Sequence, residues 1–370
     1  MIPSAQHDKG RETDPRRLPE AVTFLAEAAR AAPSADNSQP WRFRWGKTFD
    51  VYFRPATGEH ELLPAEHPAT QLALGAVIEN LAHAAVAIGL PFDAAAVKAA
   101  PAQPIAELTI DTAATVPHDA RSLPLFGRHT NRFPFASSPL PASLLQWASG
   151  QREGSATCLV WEDRKHLRAL SRLVRQASEA RFQTQEIHEW LGQSLRFTSD
   201  EVARGDGLDV ATLHLPPGGR QMLRATRDWK RMRLFNRFGA YKGFARAEAA
   251  AVSKAPALLA ILASDAPGSA IAGGRLLERV WIELNRQGVG VQPYFVITDQ
   301  LYRLQCGSVP SRLIPLVERT KEALDAMLGS DDRRMLILLR IGRPKVQPPR
   351  ALRLPLWAIL SDNRAQAISP

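Results

Sequence analysis

Two short strings of this chain carry residue types that do chemistry. The first, Ala32-Pro33-Ser34-Ala35-Asp36-Asn37-Ser38-Gln39-Pro40-Trp41, crowds hydroxyl and carboxamide groups into a few residues before an apolar strand. Such a run is either a plain helix-to-strand turn or a tight loop presenting several hydrogen-bonding groups to a ligand. The second, Gly127-Arg128-His129-Thr130-Asn131-Arg132, sets two arginines around a threonine. Arg128 offers a planar fork to a phosphate and Thr130 adds a hydroxyl donor; the bland alternative is a basic surface turn. Other chemistries are missing. No His/Asp/Glu group has metal-ligand spacing and no nucleophile elbow occurs. His188 and His214 stand isolated, which points to surface or packing roles.

Regular elements must hold these strings in place. Val22, Leu25, Ala26 and Ala29 recur at helical spacing over Pro19 to Ala32, with Pro19 suited to a first turn. Residues 41–45 and 49–53 alternate with period two around Gly46-Lys47, a hairpin signal. A long helix is expected over 69–89, and strands over 105–110, 157–161, 257–263 and 335–341. Further helices are expected over 144–148, 164–180, 271–287 and 312–328, with Gly288 as a C-cap. The helices at 69–89 and 271–287 both follow small apolar residues and both stop at glycine. They read either as a degenerate internal duplication or as two unrelated core helices.

The 370 residues suffice for two compact units or one large α+β domain, and 45% apolar content supports a substantial core. A net charge of +10 favours anionic partners without choosing among phosphorylated cofactors, nucleic acid and membrane surfaces. Two cysteines, Cys158 and Cys306, give no disulfide framework. Met1 to Arg17 has no apolar core of a signal peptide and no run is long enough to span a bilayer, so a cytoplasmic protein is expected.

Together the two strings resemble the flavin mononucleotide (FMN) site of the nitroreductase family, normally built from two subunits. Pro33, Ser34, Ala35 and Asn37 match that family's flavin-contacting loop, Gln39-Pro40-Trp41 its structural continuation, and Asp36 a variable place. Arg128, His129, Thr130 and Arg132 resemble its Arg-(His/Arg)-Ser/Thr-x-(Arg/Lys) signature. The resemblance implies a phosphate on Arg128 and Thr130, and Arg132 near the flavin's N1/O2 edge, where a cation stabilises the reduced ring. Gly288-Val289-Gly290-Val291-Gln292-Pro293-Tyr294 resembles the family's stretch along the flavin ring. It implies contacts from Pro293, Tyr294 and Phe295, though a lone Gly-x-Gly is equally a helix cap and is not a dinucleotide fingerprint. Arg340-Ile341-Gly342-Arg343-Pro344 and the following Arg350 and Arg353 resemble its closing strand and basic phosphate contact, Arg353 being the better match.

The first half lacks the arginine signature and the second lacks the Asn-Ser-Gln-Pro-Trp loop, so one complete site is expected from the two halves. That layout resembles tandem, Acg-type nitroreductase-like proteins. It implies an α+β nitroreductase-like fold with two degenerate repeats in one chain, a monomer acting as a pseudo-dimer. The expected division is a flexible leader (1–18), a first repeat (19–120), a second repeat (121–357) with a basic helical insertion near 182–251, and a tail (358–370). The implied activity passes electrons from NADH or NADPH through FMN to a small organic acceptor; the alternative is a flavin-holding protein under a closed lid. The family pattern does not explain 182–251. There Arg224, Arg227, Lys230, Arg231, Arg233, Arg237, Lys242 and Arg246 interleave with Met222, Leu223, Trp229, Leu234, Phe235 and Phe238. That stretch reads as a solvated helical face, as a wall above the flavin, or as a nucleic-acid or anionic-membrane patch, nucleic acid being the less favoured partner.

Overall fold

Alternating apolar side chains build the first sheet. In the computed structural model, which describes residues 18–55, 61–92, 103–111, 114–329 and 332–363, helix α1 (Glu20–Arg30) leads through the polar loop into strands β1 (Trp41–Trp45) and β2 (Thr48–Phe53). Trp41, Phe43, Trp45, Phe49 and Val51 point to one face and are buried there. Helix α2 (Pro68–Ala87) follows, then β3 (Ala106–Thr109). Proline at the first turn of α2 and the His67 ring, whose Nδ1 accepts from Ala69 N at 3.2 Å, fix its start.

Next come α3 (Pro124–Gly127), α4 (Ala142–Gly150), β4 (Arg152–Glu153), β5 (Ala156–Trp161) and α5 (Arg164–Arg181). Between them and the central strand lie α6 (Gln185–Ser194), β6 (Leu195–Arg196), α7 (Ser199–Ala203), β7 (Leu208–Asp209), α8 (Gly219–Ala225), α9 (Trp229–Arg237) and α10 (Ala240–Ser253). The chain ends with β8 (Ala257–Ser264), α11 (Ser269–Arg286), β9 (Gly290–Tyr294), α12 (Val296–Gln305), α13 (Ile314–Leu328), β10 (Arg333–Gly342) and β11 (Leu360–Asp362).

Among the described residues two large sheets result, of order β11-β1-β2-β3 and β4-β5-β8-β10-β9, beside a small parallel pair β6-β7. In each, three successive strands are antiparallel (β1-β2-β3 and β5-β8-β10), with a long helix leaving the middle strand. Those two helices, α2 and α11, cross at glycines. A Cβ on Gly75 would lie 2.0 Å from Ile271 O, and one on Gly274 would lie 2.1 Å from Leu72 O, so only glycine permits the approach. Beside the crossing, Arg279 reaches Glu79 at 2.6 Å and Glu153 at 2.7 Å, and Arg275 reaches Glu79 at 3.2 Å. This network ties α2 to α11 and to β4.

Most expected helices and strands are present within a few residues. Two places add to that reading. Residues 360–362, expected within a tail, form β11 and pair in parallel with Phe43 to Trp45, so the C-terminal end completes the first sheet. A three-residue edge strand has no period to read, and its partner lies more than 300 residues away. The Gly-x-Gly stretch divides: Gly288, at φ +72°, closes α11 as expected of a helix cap, and Gly290 opens strand β9. The expected leader lies outside the described residues except for Leu18. Among the described residues no helix is long and apolar enough to cross a membrane.

Candidate functional site

The loop after α1 is the most strained segment of the described backbone. Asp36, Asn37 and Gln39 all have left-handed φ, at +48°, +58° and +49°. Asparagine and aspartate tolerate this region better than other side chains, yet three such residues in four are held only by strong local contacts. Ser34 Oγ accepts from Gln39 N at 3.0 Å. The Asn37 carboxamide nitrogen donates to Gly205 O (3.1 Å) and Leu352 O (3.0 Å). Gln39 Nε2 donates to Gly205 O at 3.0 Å, and Gln39 Oε1 accepts from Leu354 N at 2.9 Å. Gly205, at φ +78°, packs so closely on the C-terminal arm that a Cβ would sit 2.2 Å from Arg353 O. The loop is thus clamped between residue 205 and residues 352–354. Pro33, Ser34 and Ala35 remain half-buried at its start.

The second string runs beside β9. Thr130 bridges in parallel to Val291, and Asn131 N donates to Val291 O at 2.8 Å. Arg340 Nη2 donates to Phe133 O at 2.7 Å and its guanidinium lies 4.1 Å from the Phe135 ring, which pins the segment from below. Arg128 is buried. Its Nε lies 2.9 Å from Glu278, its Nη2 donates to Ala31 O at 2.8 Å, and it stacks 4.7 Å from the Trp281 ring. Only Nη1 lies outside those contacts. Burial first, against the opposing charges of Arg128 and Arg353, raises the Glu278 carboxyl to about 7. His129 N donates to Asn285 Oδ1 at 2.7 Å and its Nδ1 sits 2.8 Å from Gly127 O; burial, then Arg350 and Arg128, lower its pKa.

Arg132 is the electrostatic centre. Its Nη1 makes one long contact, 3.4 Å to Thr212 Oγ1, and no carboxylate among the described residues lies within ion-pair distance. Burial lowers its pKa while Asp36 and Tyr294 raise it. Asp36 answers in kind: burial raises it, Arg181 and Arg132 oppose, and Trp190 Nε1 donates to Oδ2 at 3.2 Å. Both side chains keep partial solvent access while being surrounded by protein.

Arg353 donates through Nη1 to Asn37 Oδ1 at 3.1 Å, whereas its Nε is buried with no hydrogen-bond partner. Burial first, then Arg128, lower it to about 9, with Glu278 opposing and Arg30 adding to the fall. The fold therefore links Arg353 to Asn37 by a hydrogen bond, couples Arg132 to Asp36 and Tyr294 through their charges, and sets Thr130 beside Val291 of β9. Pro293 pairs with Leu339 inside the sheet, and Phe295 faces His67 at 5.8 Å. Arg350 stands apart, exposed, donating to Phe126 O at 3.2 Å. Sequence reasoning passed over Asp36 and the insertion's Trp190, Gly205 and Thr212. The Asp36-Asn37 pair was the one available signal, because these residue types tolerate left-handed backbone. His188, whose Nε2 lies 2.7 Å from Thr226 O, and His214, stacked 4.6 Å from Phe133, pack.

Two cations with spare donors, Arg353 and Arg132, suit a ligand with an anionic group and an electron-rich edge. An FMN fits that donor set: Arg353, with its orphaned Nε, and Nη1 of Arg128 at the phosphate, Arg132 at the ring.

No protein-family model matches the chain, and no curated protein sequence matches it. Among solved structures, it is similar to the FMN-dependent nitroreductase NfnB from Mycobacterium smegmatis in complex with NADPH (15% identity, 62% of this chain, 93% of that chain, TM-score 0.34). It is also similar to a nitroreductase-like family protein from Bacillus cereus (12%, 66%, 95%, TM-score 0.34). A third is oxidized iodotyrosine deiodinase bound to FMN and 3-iodo-L-tyrosine (17%, 62%, 92%, TM-score 0.32). Likenesses of this size assign neither family nor residue roles.

Proposed function

We propose that this protein is an FMN-dependent oxidoreductase of nitroreductase-like, α+β type, taking reducing equivalents from NADH or NADPH and delivering them to a small organic acceptor. The observation that carries the reading is the meeting of two distant strings: the strained loop at 36–39 is clamped to Arg353, and its Asp36 is coupled by charge to an Arg132 that makes no contact ion pair among the described residues. FMN, when bound, supplies hydride acceptance and release. The chain's own residues bind and orient. Arg353 and Arg128 hold the phosphate, helped by Thr130. Arg132 fixes positive charge where the ring gains negative charge, an interaction stronger in the reduced state than in the oxidised one. Asn37, Pro33, Ser34 and Ala35 supply the loop wall, and Tyr294 with Phe295 the floor. Trp190 and Thr212 narrow access for water.

The chain serves as its own dimer in this reading. The three antiparallel strands with a long helix leaving the middle one in each sheet, and the glycine crossing of α2 on α11, support two degenerate repeats. The repeats divide near residue 120, and residues 182–251 are an insertion in the second.

A second reading, flavin held without turnover, draws on the same insertion, because Trp190 and Thr212 cover both charged groups of the site. An absorbance spectrum with added FMN, before and after anaerobic NADH and NADPH, separates the two. Bound flavin that bleaches supports the oxidoreductase; bound flavin that persists with both donors supports holding. A protein that takes up no FMN removes both.

A further inference from the structure

The insertion that turns Trp190, Gly205 and Thr212 toward the site turns a different face outward. Between residues 221 and 246 the chain carries eight basic side chains and a single acid, Asp228. That acid is occupied as the cap of α9, accepting from Arg231 N at 3.2 Å. Amid this charge, large apolar side chains stand in water: Phe238 is 85% exposed, Leu234 53%, Met222 38% and Phe235 37%.

Helical geometry explains why. Met232 is the buried anchor of α9. At about 100° per residue, Leu234 and Phe238 fall on the side opposite Met232 with Arg231 beside them, Phe235 continues the arc toward the buried side, and Lys230 and Arg237 lie along the other border. The apolar side chains thus form one stripe with a cationic rim. Scattered exposed hydrophobes need no explanation, but a contiguous stripe on one short helix does. Next to the stripe, α8 and α9 enclose an open cleft of about 420 Å³ lined by Arg220, Gln221, Arg224, Ala225 and Arg231. Guanidiniums at such a cleft bind phosphate well, because each presents a planar donor fork; Arg220 also donates to Phe197 O and Arg224 lies 5.0 Å from the Phe197 ring, while Arg231 stands exposed.

We propose that the α8–α9 face is a docking surface for an anionic phospholipid bilayer, with Leu234, Phe235 and Phe238 entering the headgroup layer and Arg224, Arg231 and Lys230 holding lipid phosphates. Charge complementarity with anionic headgroups and a wedge of aliphatic and aromatic side chains are the two signals that reversible interfacial attachment requires. A nucleic acid would use the cations and stack on the phenylalanines, but it gives Leu234 and Met222 no apolar partner. The bilayer accommodates all of them. Attachment here is peripheral, consistent with the lack of a spanning helix among the described residues.

The test is co-sedimentation of the full chain with vesicles of phosphatidylcholine alone or mixed with phosphatidylglycerol. The protein pellets with the mixed vesicles and not with the neutral ones. It is released when salt rises from about 0.1 M to about 1 M, as the Debye length contracts from about 10 Å to about 3 Å. The double variant L234S/F238S lowers partition about tenfold or more, with circular dichroism and melting unchanged, since both positions already face water. Lys230→Gln lowers it about fivefold, the equivalent of about 1 kcal/mol per basic residue. Absence of pelleting with anionic vesicles, equal pelleting with neutral ones, or partition indifferent to L234S/F238S each overturns the proposal. So does displacement of the vesicles by a single-stranded oligonucleotide whose binding survives L234S/F238S, which would assign the patch to nucleic acid.

Discussion

Arg353→Met tests the proposed site most sharply, because its expected effects on folding and on ligand binding diverge. The side chain is buried beside two other arginines, and its pKa of about 9 records how poorly the fold accommodates its charge. Methionine keeps the aliphatic stem and removes the charge. The fold loses the bond to Asn37 Oδ1, worth about 1 kcal/mol, while relief of burial and of like-charge repulsion acts in the opposite direction. Stability without ligand therefore moves by no more than about 1 kcal/mol. Binding behaves differently. The orphaned Nε is a donor already desolvated and aimed, so a phosphate gains a charge-assisted bond of about 1.5–3 kcal/mol that the variant cannot make. FMN affinity falls by about 10- to 150-fold. The assay is quenching of flavin fluorescence, run in parallel with riboflavin, which lacks the phosphate. Riboflavin affinity stays within about twofold, so the preference for FMN over riboflavin collapses. An unchanged preference, or an equal loss for both ligands, refutes the phosphate role of Arg353.

Three further outcomes follow from the geometry. Gly274→Ala drives a methyl group toward Leu72 O at the α2–α11 crossing, where no flexible side chain can yield. It lowers stability by about 1–3 kcal/mol or more, read as a lower urea midpoint; an unchanged midpoint means the helices do not cross this closely. Asp36→Ala loses the Trp190 bond and keeps a Cβ at φ +48°, while Asp36→Gly loses only the bond. Alanine is therefore the more destabilising by about 1 kcal/mol, and equal losses would show the loop relaxes out of the left-handed region. Glu278 titrates near 7 in the fold against about 4.5 unfolded, so between those values the folded state binds the extra proton. Its contribution makes stability fall as pH rises through that window, by a few kcal/mol, and level off above it. Glu79 acts elsewhere: against its burial, His83, Arg279 and Arg275 hold it near 2, so its contribution is lost only as pH falls below about 4.5. Urea unfolding at about pH 5 and about pH 7 shows that slope in the parent and not in Glu278→Gln; a slope common to both refutes the assignment.

What the sequence made legible was chemistry written within a few consecutive residues. The period-two pattern at 41–53 and the apolar run at 335–341 dictate strands without reference to the rest of the chain, and the two polar strings announce themselves by residue type. What stayed hidden depended on partners far away. Arg128 reads as a phosphate fork because nothing nearby in sequence opposes it, yet Glu278, 150 residues on, takes its Nε. Asp36 reads as filler because its strained backbone and its bond to Trp190 come from tertiary contacts.

The clamp at 36–39 explains why this matters for the site. A loop with three non-glycine residues in the left-handed region cannot hold itself; each costs roughly 1–3 kcal/mol and needs surrounding structure to over-determine it. The restraints come from Gly205 in the insertion and from residues 352–354 in the C-terminal arm, and β11 then anchors that arm to β1. The first-half loop is shaped only when the second half has folded around it. In the proposed two-repeat reading, one polypeptide carrying both halves converts an encounter between subunits into a local closure, and each half keeps only the part of the site it supplies.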